Sequence, residues 1–162
     1  EDPGPKDQHG NRIPWGFDEQ RFGTLKSMLQ RWLPSGTSAY FQGSRLTGRS
    51  HRDPNKTVND QTDLDIALAG DAIWYAAHRA HAEQPDAAPY NKQPVERIGP
   101  FRGRAFPAMK FPTSTNAPET ETTLGVLHNK LQKNNIMGDY MIYRDKAHVR
   151  AKNKPTATIF EA

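Results

Sequence analysis

The chain has 162 residues with 22 Lys and Arg against 18 Asp and Glu, a formal net charge of +4 and no cysteine. Disulfides and thiolate metal sites are therefore excluded, and no apolar run approaches the roughly 18 residues that a membrane-spanning helix needs. With 35% hydrophobic residues, 13 Pro and 12 Gly, a pI near 9.4 and a mean hydropathy of −0.88, the composition predicts one lean-cored, loop-rich domain that suits an anionic partner.

Residues 1–16 read as a linker, with Pro3, Gly4, Pro5, Gly10, Pro14 and Gly16 set among charges. The chain opens on Glu-Asp-Pro-Gly-Pro rather than Met and shows no signal peptide, which reads as a piece of something longer. The single domain is expected over 17–162. Its first helix starts after Asp18, a residue suited to the N-cap. Phe22, Leu25, Met28, Leu29, Trp32 and Leu33 recur at three- and four-residue spacing and predict one apolar face. Leu33-Pro34-Ser35-Gly36 ends the helix, and Thr37 to Gln42 reads as a strand.

Gly43-Ser44 follows that strand. Glycine permits close approach of backbone to a ligand, and Ser44 offers a hydroxyl and an N–H where a helix could begin, a natural anion site. Arg45, Arg49, Arg52, Lys56 and His51 then face only Asp53 in a basic segment. Such a run is ordinarily a solvated loop. Beside a bound triphosphate its charges would neutralise phosphate, Arg45 first among them. The next apolar run, Asp63-Leu64-Asp65-Ile66-Ala67-Leu68, carries two carboxylates two residues apart. On a strand they project from one face. Two ionised carboxylates side by side repel, and a divalent cation between them relieves the repulsion. Mg²⁺ takes such oxygen ligands and brings substrate phosphates with it.

Gly43-Ser44 after a strand, a turn with Gly48, and then Thr62-Asp63-Leu64-Asp65 resemble the nucleotidyltransferase superfamily typified by DNA polymerase beta. The likeness covers about residues 17–83. It implies an α+β fold with a small mixed sheet flanked by helices. It also implies that Gly43, Ser44, Arg45 and Arg49 bind the phosphates of a nucleoside triphosphate and that Asp63 and Asp65 hold Mg²⁺ or Mn²⁺. A third carboxylate on a neighbouring strand would complete the site. The stretch between Ser44 and Asp63 is longer than the family usually shows. No motif marks the third carboxylate. Asp139 is the first candidate because it opens a strand after a helix, and Asp145 and Glu96 are its rivals.

Asp71 is expected to cap a helix over 72–83, rich in alanine. His78 and His81 share one face of it and read as surface residues, since a metal site needs further ligands. Residues 85–118, with seven prolines, form an expected insertion. Phe101, Phe106 and Phe111 interleave there with Arg97, Arg102, Arg104 and Lys110. They read either as anchors pinning a long loop to the core or as a platform for stacking bases. A third helix is expected over 120–135. Strands are expected over 139–145, 147–151 and 157–160. From Lys130 to Lys154, seven Lys and Arg against two Asp make a second basic patch.

The leading expectation is a metal-dependent nucleotidyltransferase acting on a hydroxyl of RNA (a transfer RNA among the candidates), a protein or a small molecule. The basic, cysteine-free chain with its Pro/Gly-rich entry also resembles the C-terminal toxin domains of bacterial polymorphic and contact-dependent growth inhibition systems. That likeness implies secretion within a larger bacterial protein, action in a target cell's cytoplasm, and inhibition by a small acidic immunity protein. A metal-independent RNase using His128 and His148, with Lys130, Lys146 or Tyr143, is the alternative. A binding module with an inactive site is the third class.

Overall fold

The computed structural model describes residues 13–14, 17–43, 46, 64–84, 101–102, 106–115, 117–136, 138–151 and 155–162. Helix α1 (Glu19–Trp32) begins at Asp18, whose Oδ1 accepts the Arg21 N–H at 2.7 Å. It buries Phe22, Leu25, Leu29 and Trp32. Strands β1 (Ser38–Gln42) and β2 (Leu64–Ala69) follow, then helix α2 (Asp71–Glu83). Next come the short strands β3 (Phe101–Arg102), β4 (Lys110–Pro112) and β5 (Glu121–Thr123). Helix α3 (Leu124–Gln132), strand β6 (Gly138–Tyr143), helix α4 (Lys146–Ala151) and strand β7 (Thr156–Phe160) complete the order.

The fold is α+β. Five strands form a mixed sheet in the order β3-β6-β2-β1-β7, and β4 and β5 form a separate two-stranded ribbon. Strand β2 runs antiparallel to β1 and parallel to β6. Strand alternation then sorts the sheet into two faces. On one, Ala39, Phe41, Leu64, Ile66, Leu68, Tyr140 and Ile142 join the buried stripes of α1, α2 and α3 in the larger core. On the other, Tyr40, Ala67, Ala69, Met141 and Tyr143 pack with Val149 of α4.

Several local expectations change. Ile13, at the end of the expected linker, is 4% exposed and belongs to the core. Asp71 does not cap α2: the cap position is Gly70, without a side-chain hydrogen bond. The expected helix from residue 120 begins only at Leu124. The β-branched Thr122 and Thr123 pair with Phe111 and Lys110 as β5, and the Thr123 hydroxyl then caps α3 by accepting the Val126 N–H at 3.2 Å. The expected strand over 147–151 is helix α4, because Asp145 Oδ1 accepts the His148 N–H at 2.9 Å and starts a helical turn. Phe106 and Phe111 are each 1% exposed in the core, so they anchor their loop and are not a base-stacking platform. The side chain of Phe101 lies outside the described residues. His78 and His81 are half-buried rather than surface residues, with ring contacts to Trp74 at 4.9 Å and Phe106 at 6.2 Å.

Candidate functional site

The end of the sheet where β1 finishes and β2 and β6 begin collects the polar residues of the second face. Gln42 of β1 is the register partner of Asp65 of β2, and Asp65 is the register partner of Asp139 of β6. Residues paired across a sheet share a face. Gln42, Asp65 and Asp139 therefore form one transverse row, with neighbouring strands about 4.8 Å apart. Asp65 and Asp139 are half-buried, and Oδ1 of Asp139 is buried. Register thus sets two carboxylate-bearing residues side by side on one face of the sheet. The neighbouring Tyr140 hydroxyl has its pKa pushed up by burial first and by the Asp139 charge second, so it stays neutral at any physiological pH.

Gly43 closes the row from the β1 side. Its φ is +91°, a backbone conformation that glycine adopts without strain. A Cβ built on it would fall 2.7 Å from Oδ2 of Asp65 and 3.6 Å from its Cγ. Any side chain at position 43 would therefore displace this carboxylate. The glycine is held from both directions: its N–H donates to the Pro155 carbonyl at 3.0 Å, and its own carbonyl accepts the Leu46 N–H at 3.2 Å. One residue pair back, Phe41 sits between Phe17 and Phe22, with both ring centroids at 5.8 Å. These aromatic contacts fix where β1 ends.

The position of Asp139 depends on how α3 stops. Asn135 has φ +60°, the Ile136 N–H donates to the Leu131 carbonyl at 3.0 Å, and the Asn135 N–H donates to the Gln132 carbonyl at 3.0 Å. This is a Schellman closure, with asparagine in the left-handed position and the apolar pair Leu131–Ile136 in the core beneath it. The chain then enters β6 three residues later with Asp139 beside Asp65.

Of the residues expected at the site, Gly43, Asp65 and Asp139 are brought together. Ser44, Arg45, Arg49, Asp63 and the rival Glu96 lie outside the described residues. The other rival, Asp145, is not in this row. It caps α4 instead, and the His148 N–H, with help from the Arg144 side chain, holds its pKa below the usual carboxylate range. His128 and His148 do not share a site. His128 stacks edge-on against Tyr140, at 5.8 Å, and His148 against Tyr143, at 5.1 Å, on opposite faces of the sheet. His148 is 7% exposed, and its Nδ1 accepts the Arg144 N–H at 3.0 Å. In the basic patch, Lys130 lies over the Trp32 ring at 4.6 Å and Lys146 pairs with Glu161. Gln42 carries no mark of a site in the sequence: its place just before Gly43 is visible there, but its partnership with Asp65 is a matter of register.

Among the described residues, no group of three or more His, Asp or Glu could hold a metal ion. Asp65 and Asp139 supply two oxygen ligands, and the chemistry of this donor set suits a hard divalent cation. The fit rests on two observations: two carboxylate residues in adjacent register, and a glycine at position 43 whose missing Cβ leaves room for the Asp65 carboxylate. No protein family, no curated protein and no solved structure matches this chain.

Proposed function

We propose that this domain is a Mg²⁺-dependent nucleotidyltransferase. The observation that carries the reading is the pairing of Asp139 with Asp65 across a parallel strand pair, with the Asp65 carboxylate hard against a glycine whose lack of a side chain leaves it in place. Asp65 and Asp139 are the residues that would hold the ion, with Asp63 as a further expected ligand. When bound, a divalent cation supplies charge neutralisation for phosphate oxygens and for the developing negative charge of the leaving group. The bare backbone at Gly43 lets the Asp65 carboxylate keep its place in the row, where a side chain would push it aside. An acceptor hydroxyl attacks the α-phosphorus. A bond forms between the acceptor oxygen and phosphorus, the bond from phosphorus to the bridging oxygen breaks, and pyrophosphate leaves. The hydroxyl proton passes to one of the two carboxylates. The rigid sheet contributes orientation, since both carboxylates sit on strands rather than loops.

The modest positive charge supports an RNA or other anionic acceptor and an acidic inhibitor. In keeping with that, we place the domain among delivered bacterial toxins that meet their acceptor in a target cell and an immunity protein in the producer. The test is incubation with each α-labelled nucleoside triphosphate, Mg²⁺ and a cell extract. The wild type labels an acceptor, EDTA stops the reaction, and Asp65→Asn or Asp139→Asn lowers the rate by at least about 100-fold, as expected for loss of a metal-held charge clamp. Undiminished labelling in folded variants, or labelling indifferent to EDTA, would refute the reading.

A further inference from the structure

Gln42 is a polar group of the row that nucleotidyl transfer, as proposed, leaves unused. It is 2% exposed. It precedes Gly43 directly and is flanked in register by Asp65 on one side and Thr156 on the other. The Tyr143 hydroxyl donates to its Oε1 at 3.0 Å. Its Nε2 is buried and has no hydrogen-bond partner among the described residues. A buried amide donor left unmade is a standing cost to folding. An apolar side chain of the same size would avoid that cost on a face whose floor is Ala67, Ala69 and Met141. Tyr143, itself fully buried, holds the oxygen end of the carboxamide. Gln42 itself stands in the residue row that contains Asp65, so its carboxamide is held within that row by its oxygen end. The two carboxylates can only accept hydrogen bonds when ionised. A phosphoryl oxygen arriving at this row needs a donor, and a neutral amide supplies one without repelling a cation.

We propose that Gln42 is a ligand-binding residue whose side-chain amide donates to a phosphoryl oxygen of the substrate, with Tyr143 as the positioning residue that sets the amide's orientation. This deepens the nucleotidyltransferase reading and rests on it for the identity of the ligand. The probe is inorganic pyrophosphate with Mg²⁺, titrated calorimetrically, alongside thermal melting. The double variant Gln42→Leu/Tyr143→Phe removes both ends of the hydrogen bond and keeps the volume. Its affinity for pyrophosphate falls about tenfold, the scale of a hydrogen bond to a charged group, while its melting temperature stays level or rises by about 2–4 °C. Tyr143→Phe alone weakens binding less, since the amide remains but is no longer held. A merely structural pair gives the opposite pattern: a fall in melting temperature overturns the proposal, whatever happens to affinity, and so does unchanged affinity. Absence of pyrophosphate binding by the wild type also overturns it. Binding that needs Gln42 but ignores Mg²⁺ and Asp65→Asn keeps the Gln42 contact and removes nucleotidyl transfer. Binding that needs Mg²⁺ and Asp65 but ignores the double variant does the reverse.

Discussion

Gly43 and Gly36 separate backbone conformation from site geometry. Both have positive φ, +91° and +87°. A Cβ on Gly36 would meet nothing within 4 Å, whereas one on Gly43 would meet the Asp65 carboxylate at 2.7 Å. Alanine at either position carries the left-handed backbone cost of about 1–2 kcal/mol. Gly43→Ala additionally moves Asp65. Denaturant unfolding of the two variants should show comparable losses for the backbone term, while label transfer survives in Gly36→Ala and collapses in Gly43→Ala. Equal activity in both would mean that the placement of Asp65 is not used. At this scale the residue types were legible: glycine, serine and spaced aspartates are what the proposed phosphate and metal chemistry is read from. Asp139 was the first candidate for a carboxylate on a neighbouring strand, but its place directly beside Asp65 was not legible, because 74 positions of chain separate them and only β2–β6 register joins them. Gln42 was hidden for the same reason.

Among the elements, those with sustained periodicity were readable. The stripe of α1 is buried as its spacing implies, and β1 and β6 lie within a residue or two of their expected bounds. Errors fell where elements are short. Lys146–Ala151 is only six residues, too few for helical and strand periods to be told apart. Its identity is set by one capping contact, the His148 N–H to Asp145. The cap has a pH signature. The pKa of Asp145 is lowered in the folded chain, by the His148 N–H first and by Arg144 after it. The folded state therefore binds the proton less readily than the unfolded chain. The cap's contribution is present above the ordinary carboxylate pKa and is lost as pH falls through the lowered value. Asp145→Ala should cost about 1 kcal/mol at neutral pH. The stability difference between variant and wild type should shrink below about pH 4, the ordinary aspartate range. A difference that does not change with pH would assign the loss to packing instead.

For the whole molecule, the two faces of the sheet differ in what packs on them. Three helices close the larger core on one face. The other face carries the carboxylate row at one end and the Tyr143–His148 cluster toward the other, with α4 packed against it. The α+β class followed from the mixture of periodic segments. The order β3-β6-β2-β1-β7 did not, since long-range pairing is set by packing that no local pattern encodes. The proposed chemistry requires Asp65 and Asp139 to act together on one divalent cation. Water-proton relaxation with Mn²⁺ and a nucleoside triphosphate reads that joint action. The wild type should bind Mn²⁺ with enhanced relaxation, and Asp65→Asn and Asp139→Asn, each folded, should both lose that enhancement. Mn²⁺ binding that persists unchanged in either variant, or is absent from the wild type, would rule out a shared ion at Asp65 and Asp139.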